Sequence, residues 1–169
     1  MDNLDQWVEK ARQSTLFTAP VLGPDLERFL SEKGDFIREL AKRAVESNVR
    51  HVYWVGSGNS WVNLYSGKYL LDRFSSLESD VFTSYELVTR APRLLNEDSW
   101  AFFASFSGAT EDTAAALQHA KSCGAHTIAI VNKADSLMGQ EADEVIDYRS
   151  KALYILPMAA AYLFALEVA

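Results

Sequence analysis

Hydrophobic residues along the chain change their spacing near residue 50. Before that point they recur at helical intervals. Leu4, Trp7, Val8 and Ala11 form one stripe over Asp2 to Ser14. Leu26, Phe29 and Leu30, then Phe36, Ile37, Leu40, Ala41, Ala44 and Val45, carry the same period. Pro20 and Gly23-Pro24 predict a break after the first helix, and Gly34 predicts a stop between two further ones. From His51 onward, short apolar runs alternate with helical stretches. His51–Val55, Ser79–Thr83, Trp100–Ser105 and Thr127–Val131 read as strands, with Glu144–Asp147 as a weaker fifth. Helices are expected from Ser60 to Phe74 and from the turn at Thr110 to Cys123, where Gly124 is the natural stop. Thr83 and Glu86 have the spacing of a capping box that opens a short helix.

Strands alternating with helices predict a parallel sheet covered on both faces. The unbroken apolar character of the third and fourth strands agrees, because such strands are buried on two sides. The expected fold class is α/β, a three-layer sandwich. Residues 1–45 form a helical extension ahead of a single domain over 46–169. The segment from Ser150 is apolar on nearly every face. A helix of that kind has to be covered, and the expectation is that it packs against a second copy of the chain or a second half.

Composition narrows the function. The 169 residues are 49% hydrophobic and 23% charged, ordinary for a globular protein with a real core. Sixteen basic against 23 acidic residues give a net charge of −7, which disfavours nucleic acid and anionic membranes as partners. An anionic ligand would have to be held by local donors. The single cysteine, Cys123, allows no intrachain disulfide and no cysteine-based metal cluster, and no metal or cofactor is expected. The acidic start Met1-Asp2-Asn3-Leu4-Asp5 lacks the build of a signal peptide. The longest uncharged apolar run, Ala152–Leu166, carries Pro157 and falls short of the roughly 20 residues of a spanning helix. A cytoplasmic location is the default expectation.

Ligands of open parallel sheets sit beyond the carboxyl ends of the strands. Two segments at such ends share a chemical theme. Gly56-Ser57-Gly58-Asn59-Ser60 follows strand one, and Ser105-Phe106-Ser107-Gly108-Ala109-Thr110 follows strand three. Glycines let the backbone approach a ligand, and two helix N-termini ringed by hydroxyls suit a phosphate. Each segment alone reads more readily as a turn followed by an N-cap, and the pair at adjacent strand ends carries more weight. A dinucleotide site is excluded, because its third glycine would fall at Trp61 and Thr83-Ser84 stands where a ribose-binding acid belongs. No Gly-Lys-Ser/Thr follows either turn, which excludes a P-loop.

These two segments, with Thr83-Ser84-Tyr85-Glu86-Leu87 and Ala129-Ile130-Val131-Asn132 at matching spacing, resemble the sugar isomerase (SIS) domain over residues 45–169. Lys68–Phe74, Ala120–Ala125 and Lys133–Ser136 are most similar to the fructosamine-6-phosphate (fructoselysine-type) deglycases. The isomerase domain of glucosamine-6-phosphate synthase is a more distant likeness. The resemblance implies a five-stranded parallel sheet of flavodoxin-like order, 2-1-3-4-5, and a sugar phosphate or fructosamine 6-phosphate ligand. It implies substrate contacts at Gly58, Asn59, Ser60, Ser105, the backbone of Phe106, Ser107 and Thr110. It also implies pairing of two SIS halves, as a homodimer or within one chain, with the catalytic glutamate and histidine in the second half. Phe106 stands where the synthase branch has glutamine, and Ala109 replaces a residue that is often polar.

The chain's own acid–base candidates are poor. Glu111 and Asp112 open a helix, where the dipole lowers a carboxyl pKa, the reverse of what a base near neutral pH needs. Glu86 is a candidate at a strand end, and the capping box explains it without catalysis. His51 and His126 precede strands, at the edge away from the turns, and His119 lies in mid-helix. Lys133 and Asp135 follow strand four at the ligand edge, in what reads as a solvated loop. Trp54, Trp61 and Trp100 read as packing residues. The leading reading is a phosphosugar-binding SIS half of an aldose–ketose isomerase or deglycase. The rival is a non-catalytic sugar-phosphate sensor. The acidic N-terminal helices disfavour a DNA-binding regulator, and a nucleotide-binding module lacks its acid after strand two.

Overall fold

A computed structural model describes residues 2–14, 19–47 and 49–169 of the chain. The elements run α1 (Asp2–Arg12), α2 (Ala19–Glu46), β1 (His51–Gly56), α3 (Asn59–Phe74), β2 (Glu78–Thr83) and α4 (Ser84–Arg90). They continue with β3 (Ser99–Ser105), α5 (Glu111–Ser122), β4 (His126–Val131), α6 (Leu137–Glu141), β5 (Glu144–Asp147) and α7 (Ile155–Val168). All five strands are parallel, in the order β2-β1-β3-β4-β5. The expected α/β sandwich and strand order are both present.

Strand alternation sorts the core into two clusters, one on each face of the sheet. Val52 and Trp54 of β1, Phe102 of β3, and Ile128 and Ile130 of β4 face α2, α3 and α7. Tyr53, Val55, Phe103, Ala129 and Val131 point the other way, toward Leu87, Leu117 and Met138 of α4, α5 and α6. Every residue of β1 and β3 is buried, so alternation is invisible in their composition. On the first face the Trp54 and Phe102 rings stack at 4.6 Å, and Phe164 of α7 lies 4.6 Å from Phe102. Gly67 lets α3 close onto that cluster. A Cβ there would fall 2.6 Å from the Trp54 ring.

One expectation is corrected, one is narrowed and one element is added. The break at Pro20 and Gly23-Pro24 and the stop at Gly34 do not occur, and α2 runs unbroken for 28 residues. Both prolines lie in its first two turns, so the missing N–H groups cost one intrahelical bond, from Pro24 to the Pro20 carbonyl. Buried Phe29, Ile37, Leu40, Ala41 and Ala44 hold the rest against the sheet and carry the helix through Gly34. Polar contacts tie α2 to the β5 side. Arg43 pairs with Glu144 at 2.6 Å, Lys33 pairs with Asp147, and Arg28 donates to the carbonyls of Tyr148 and Arg149 at 3.0 Å. The second point concerns α7. Much of its apolar surface is covered within the chain, because α2 and α3 flank it and the sheet lies beneath. Leu156, Pro157, Ala160, Ala161, Phe164 and Ala165 are buried, while Tyr162 and Leu166 remain exposed. The third is an addition, the short helix α6, with Ser136 as its N-cap. In α1, by contrast, the apolar stripe of Leu4, Trp7 and Val8 is exposed.

Candidate functional site

The turn after β3 builds a cluster of hydroxyls. Ser105 Oγ lies 2.8 Å from Thr110 Oγ1 and 3.4 Å from Ser107 Oγ, and Ser107 and Thr110 are 3.4 Å apart. Two backbone amides fix the ring. Gly108 N–H donates to Ser105 Oγ at 3.0 Å, and Ala109 N–H donates to Ser107 Oγ at 3.2 Å. The serine oxygens thus accept from the backbone, and the hydroxyl protons are shared within the ring, from which a stronger acceptor could draw them. Thr110 occupies the N-cap position of α5, yet its hydroxyl makes no capping bond. The leading N–H groups of α5 are left without a side-chain cap. Gly108 has φ of 63°, and a Cβ there would meet Ser136 Oγ at 2.1 Å. Only glycine fits both the backbone and the gap. Its carbonyl accepts Met138 N–H at 2.9 Å, so α6 backs the turn.

The turn after β1 sits beside it. Gly56 pairs in register with Ala104, and a Cβ on Gly56 would lie 3.1 Å from Ser60 C and 3.3 Å from the Ala104 carbonyl. This close approach brings the start of α3 against the end of β3. Gly58 is the N-cap of α3, with φ of 58° and no side chain to cap the helix. Ser60 is half-buried in the first turn, and Asn59 is exposed, its Nδ2 3.4 Å from the Tyr154 hydroxyl. Phe106 is exposed beside the hydroxyl cluster. The helices α3 and α5 therefore open toward one sheet edge without side-chain caps, as α7 does beside them. At α4 and α6, Thr83 and Ser136 close the ends. Uncapped N–H groups and hydroxyl donors at one edge are the equipment of an anion site.

Glu86 does what the capping box predicts. Its carboxylate accepts from Thr83 N–H at 3.1 Å and from Thr83 Oγ1 at 2.9 Å, while Glu86 N–H donates to Thr83 Oγ1. The Thr83 backbone bond, then its hydroxyl bond, hold the Glu86 carboxyl below the usual carboxylate range. That is the wrong direction for a proton-abstracting base. His51 and His126 open β1 and β4 at the opposite sheet edge, and His119 lies on α5 with Nε2 3.9 Å from Cys123 Sγ. Lys133 and Asp135 lie exposed in the loop after β4. Trp54 and Trp100 are core residues, and Trp61 packs edge-on against Tyr65. Among the described residues, no group of three or more His, Cys, Asp and Glu side chains is placed to hold a metal.

Sequence reasoning missed a polar network that joins three strand ends. Ser57 Oγ lies 2.7 Å from Asp112 Oδ2 and 3.1 Å from Ser84 Oγ. Ser84 donates to Thr113 Oγ1 at 2.9 Å, and Thr113 Oγ1 lies 3.3 Å from Asp112 Oδ1. Ser84 and Thr113 are fully buried. The available signal was Ser84 itself, a small hydroxyl at a strand end where a dinucleotide site would carry an acid.

The SIS domain family matches residues 47–169, which includes both turns. Fructosamine deglycase FrlB of Bacillus subtilis (strain 168) is 36% identical over 114 residues, covering 67% of this chain and 34% of its own length. Fructoselysine 6-phosphate deglycase of Escherichia coli (strain K12) is 26% identical over 144 residues, covering 85% and 42% respectively. The chain thus spans under half the length of these relatives. A Salmonella typhimurium LT2 structure described as a phosphosugar isomerase superposes with a TM-score of 0.68 at 29% identity. It covers 78% of this chain and 42% of that one. The E. coli CFT073 protein c3406 shares the fold, with a TM-score of 0.70 at 17% identity over 98% of this chain and 93% of its own. No helix of the described residues is long and apolar enough to cross a membrane. With the strand order, both glycine–serine turns and the family match in agreement, the chain belongs to the SIS domain family.

Proposed function

We propose that the two turns bind the phosphate of a phosphosugar, with this chain serving as one SIS half of an aldose–ketose isomerase or a fructosamine-6-phosphate deglycase. Ser60, Ser105, Ser107 and Thr110 donate to the phosphate oxygens, with Gly58, Asn59 and the Phe106 backbone beside them. The observation that carries this reading is the hydroxyl ring of Ser105, Ser107 and Thr110 in front of an uncapped α5. A residue serving only as a cap would spend its hydroxyl on the first-turn amides. The relatives named as fructosamine and fructoselysine 6-phosphate deglycases support the ligand class. Phe106 offers no side-chain hydrogen bond, so discrimination between sugars falls to groups farther from the phosphate.

In this reading the proton-transferring groups come from outside the residues described, through pairing with a second SIS half. Support comes from Glu86, whose carboxylate is taken up by its own cap. The test compares fructose 6-phosphate with fructose in thermal shift and calorimetry. The phosphate ester should stabilise the protein and the free sugar should not. Ser107→Ala should weaken binding about tenfold or more, since a hydrogen bond to a charged group contributes about 1.5–3 kcal/mol. Equal stabilisation by both ligands would reject the phosphate site.

A further inference from the structure

We propose that Ser57 and Asp112 are positioning residues of this site. Their hydrogen bond sets the distance between the turn that bears Ser60 and the hydroxyl ring after β3. This inference rests on the phosphosugar reading above and adds to it the residues that align its two halves.

The two turns are built differently. The ring of Ser105, Ser107 and Thr110 is internally bonded and backed by α6 through Gly108. The turn after β1 is held at its base, where Gly56 meets Ala104, and less tightly beyond it. Nothing lies within 4 Å of a Cβ placed on Gly58, and the Asn59 contact to Tyr154 is long at 3.4 Å. Ser57, at the base of this turn, supplies the tie across to α5. Its proton has two acceptors, Ser84 Oγ at 3.1 Å and Asp112 Oδ2 at 2.7 Å. The shorter bond to the charged oxygen wins. Ser84 then donates to Thr113, and Thr113 donates to Asp112 Oδ1. All three hydroxyl protons run, directly or by relay, to one carboxylate. They come from the ends of β1 and β2 and from α5, which follows β3.

Electrostatics gives the alternative. A carboxylate two residues from Thr110 repels an incoming phosphate. If Asp112 acted through its charge, removing it would tighten binding. If it acts through geometry, removing it weakens binding although the repulsion is gone. The two roles thus differ in sign.

The experiment measures fructose 6-phosphate affinity by calorimetry for the wild-type chain, Ser57→Ala, Asp112→Ala, the double variant and Asp112→Asn. Positioning predicts about tenfold weaker binding for each alanine variant, the scale of one charge-assisted hydrogen bond. The double variant should be no weaker than either single one, because both break the same tie. Asp112→Asn keeps an acceptor oxygen and should bind at least as tightly as wild type, a rescue that general loss of structure would not give. Ser57→Ala removes one hydroxyl from a half-buried turn and keeps the test decisive if Asp112→Ala fails to fold. Wild-type affinity in Ser57→Ala, tighter binding in Asp112→Ala, or additive losses in the double variant would each overturn the tie. A wild-type chain that does not bind fructose 6-phosphate would instead remove the phosphosugar reading, and this inference with it.

Discussion

The two edges of the sheet are made of different chemistry. At the carboxyl edge the working groups are neutral: Ser57, Ser60, Ser84, Ser105, Ser107, Thr110 and Thr113, with Asp112 and Glu86 already engaged by hydroxyls. At the amino edge histidines meet carboxylates. His51 lies 3.1 Å from Asp80, and His126 sits 4.0 Å from Asp143 and 3.8 Å from Glu144. Neutral donors hold an anion with little dependence on pH, whereas a histidine packed among carboxylates makes stability depend on it. If the carboxyl edge holds the phosphate as proposed, the division separates binding from acid sensitivity. Ligand affinity should follow substitutions at the carboxyl edge, and the pH response of folding should follow those at the amino edge.

The largest effect is expected at Gly108. An alanine there needs positive φ and places its Cβ 2.1 Å from Ser136 Oγ and 2.4 Å from Ser136 Cβ. Overpacking of this kind costs about 1–3 kcal/mol, and the backbone adds about 1–2 kcal/mol. Gly108→Ala should lower the unfolding free energy by that sum, read as a lower urea midpoint, and abolish fructose 6-phosphate binding. Adding Ser136→Gly should recover much of the stability, because it removes the clash and leaves the backbone cost plus a few tenths of a kcal/mol for the lost α6 N-cap. If Gly108→Ala keeps wild-type stability and affinity, the carboxyl edge is pliant and its hydroxyl ring is not held by the turn.

Gly23 sharpens the contrast by belonging to neither edge. It lies in the second turn of α2, with nothing within 4 Å of a Cβ placed on it and no positive φ. Gly23→Ala should change stability by less than the roughly 0.5–1 kcal/mol of helix propensity, because its Cβ meets the Cδ of Pro24 in the helical backbone. Chemical unfolding should show a midpoint close to wild type at an unchanged slope, with ligand affinity unaltered. A large shift in either direction would mean that propensity and the pre-proline contact do not balance in the first turns of α2.

Sequence reasoning succeeds where local chemistry and fold agree. The strands at Val52–Val55, Phe102–Ala104 and Ile128–Val131 announce themselves because both faces are buried, and Thr83 with Glu86 forms its box as the spacing requires. It fails where tertiary packing decides. Pro24 and Gly34 punctuate a sequence, but in α2 the buried row from Phe29 to Ala44 overrides them. The all-round apolar character of α7 shows that it must be covered without showing by what. Two helices of the same chain, α2 and α3, cover much of it, while Tyr162 and Leu166 stay exposed. The network of Ser57, Ser84, Asp112 and Thr113 is illegible for a different reason. Its members come from three turns, and only the strand order brings them together. Within their own segments Asp112 reads as a poor base and Ser84 as a missing acid.

The smallest effect is a change of slope at the amino edge. Burial pushes the His126 pKa below its ordinary value. Asp143 and Glu144 oppose the shift, and Arg43 and Lys121 add to it. The ring also lies 4.6 Å from that of Trp100. In the unfolded chain His126 titrates near 6.5, so between that pH and its lower folded value the unfolded state binds more protons. The contribution of His126 is thus fully present above pH 6.5 and is lost as pH falls toward the folded value. Asp143 is held low by Lys121 and Thr127 despite its burial, and it titrates in a more acidic range, below the window that reports on His126. Urea unfolding at a series of pH values from about 5 to 8 should show wild-type stability declining on the acid side. His126→Gln should give a flatter profile. The lost packing against Trp100 lowers that profile by a constant amount, which leaves the slope as the informative quantity. Parallel profiles would assign the acid response to another group. A matching change in the pH dependence of fructose 6-phosphate affinity would show that the two edges are coupled through β4, and the separation of binding from acid sensitivity would fail.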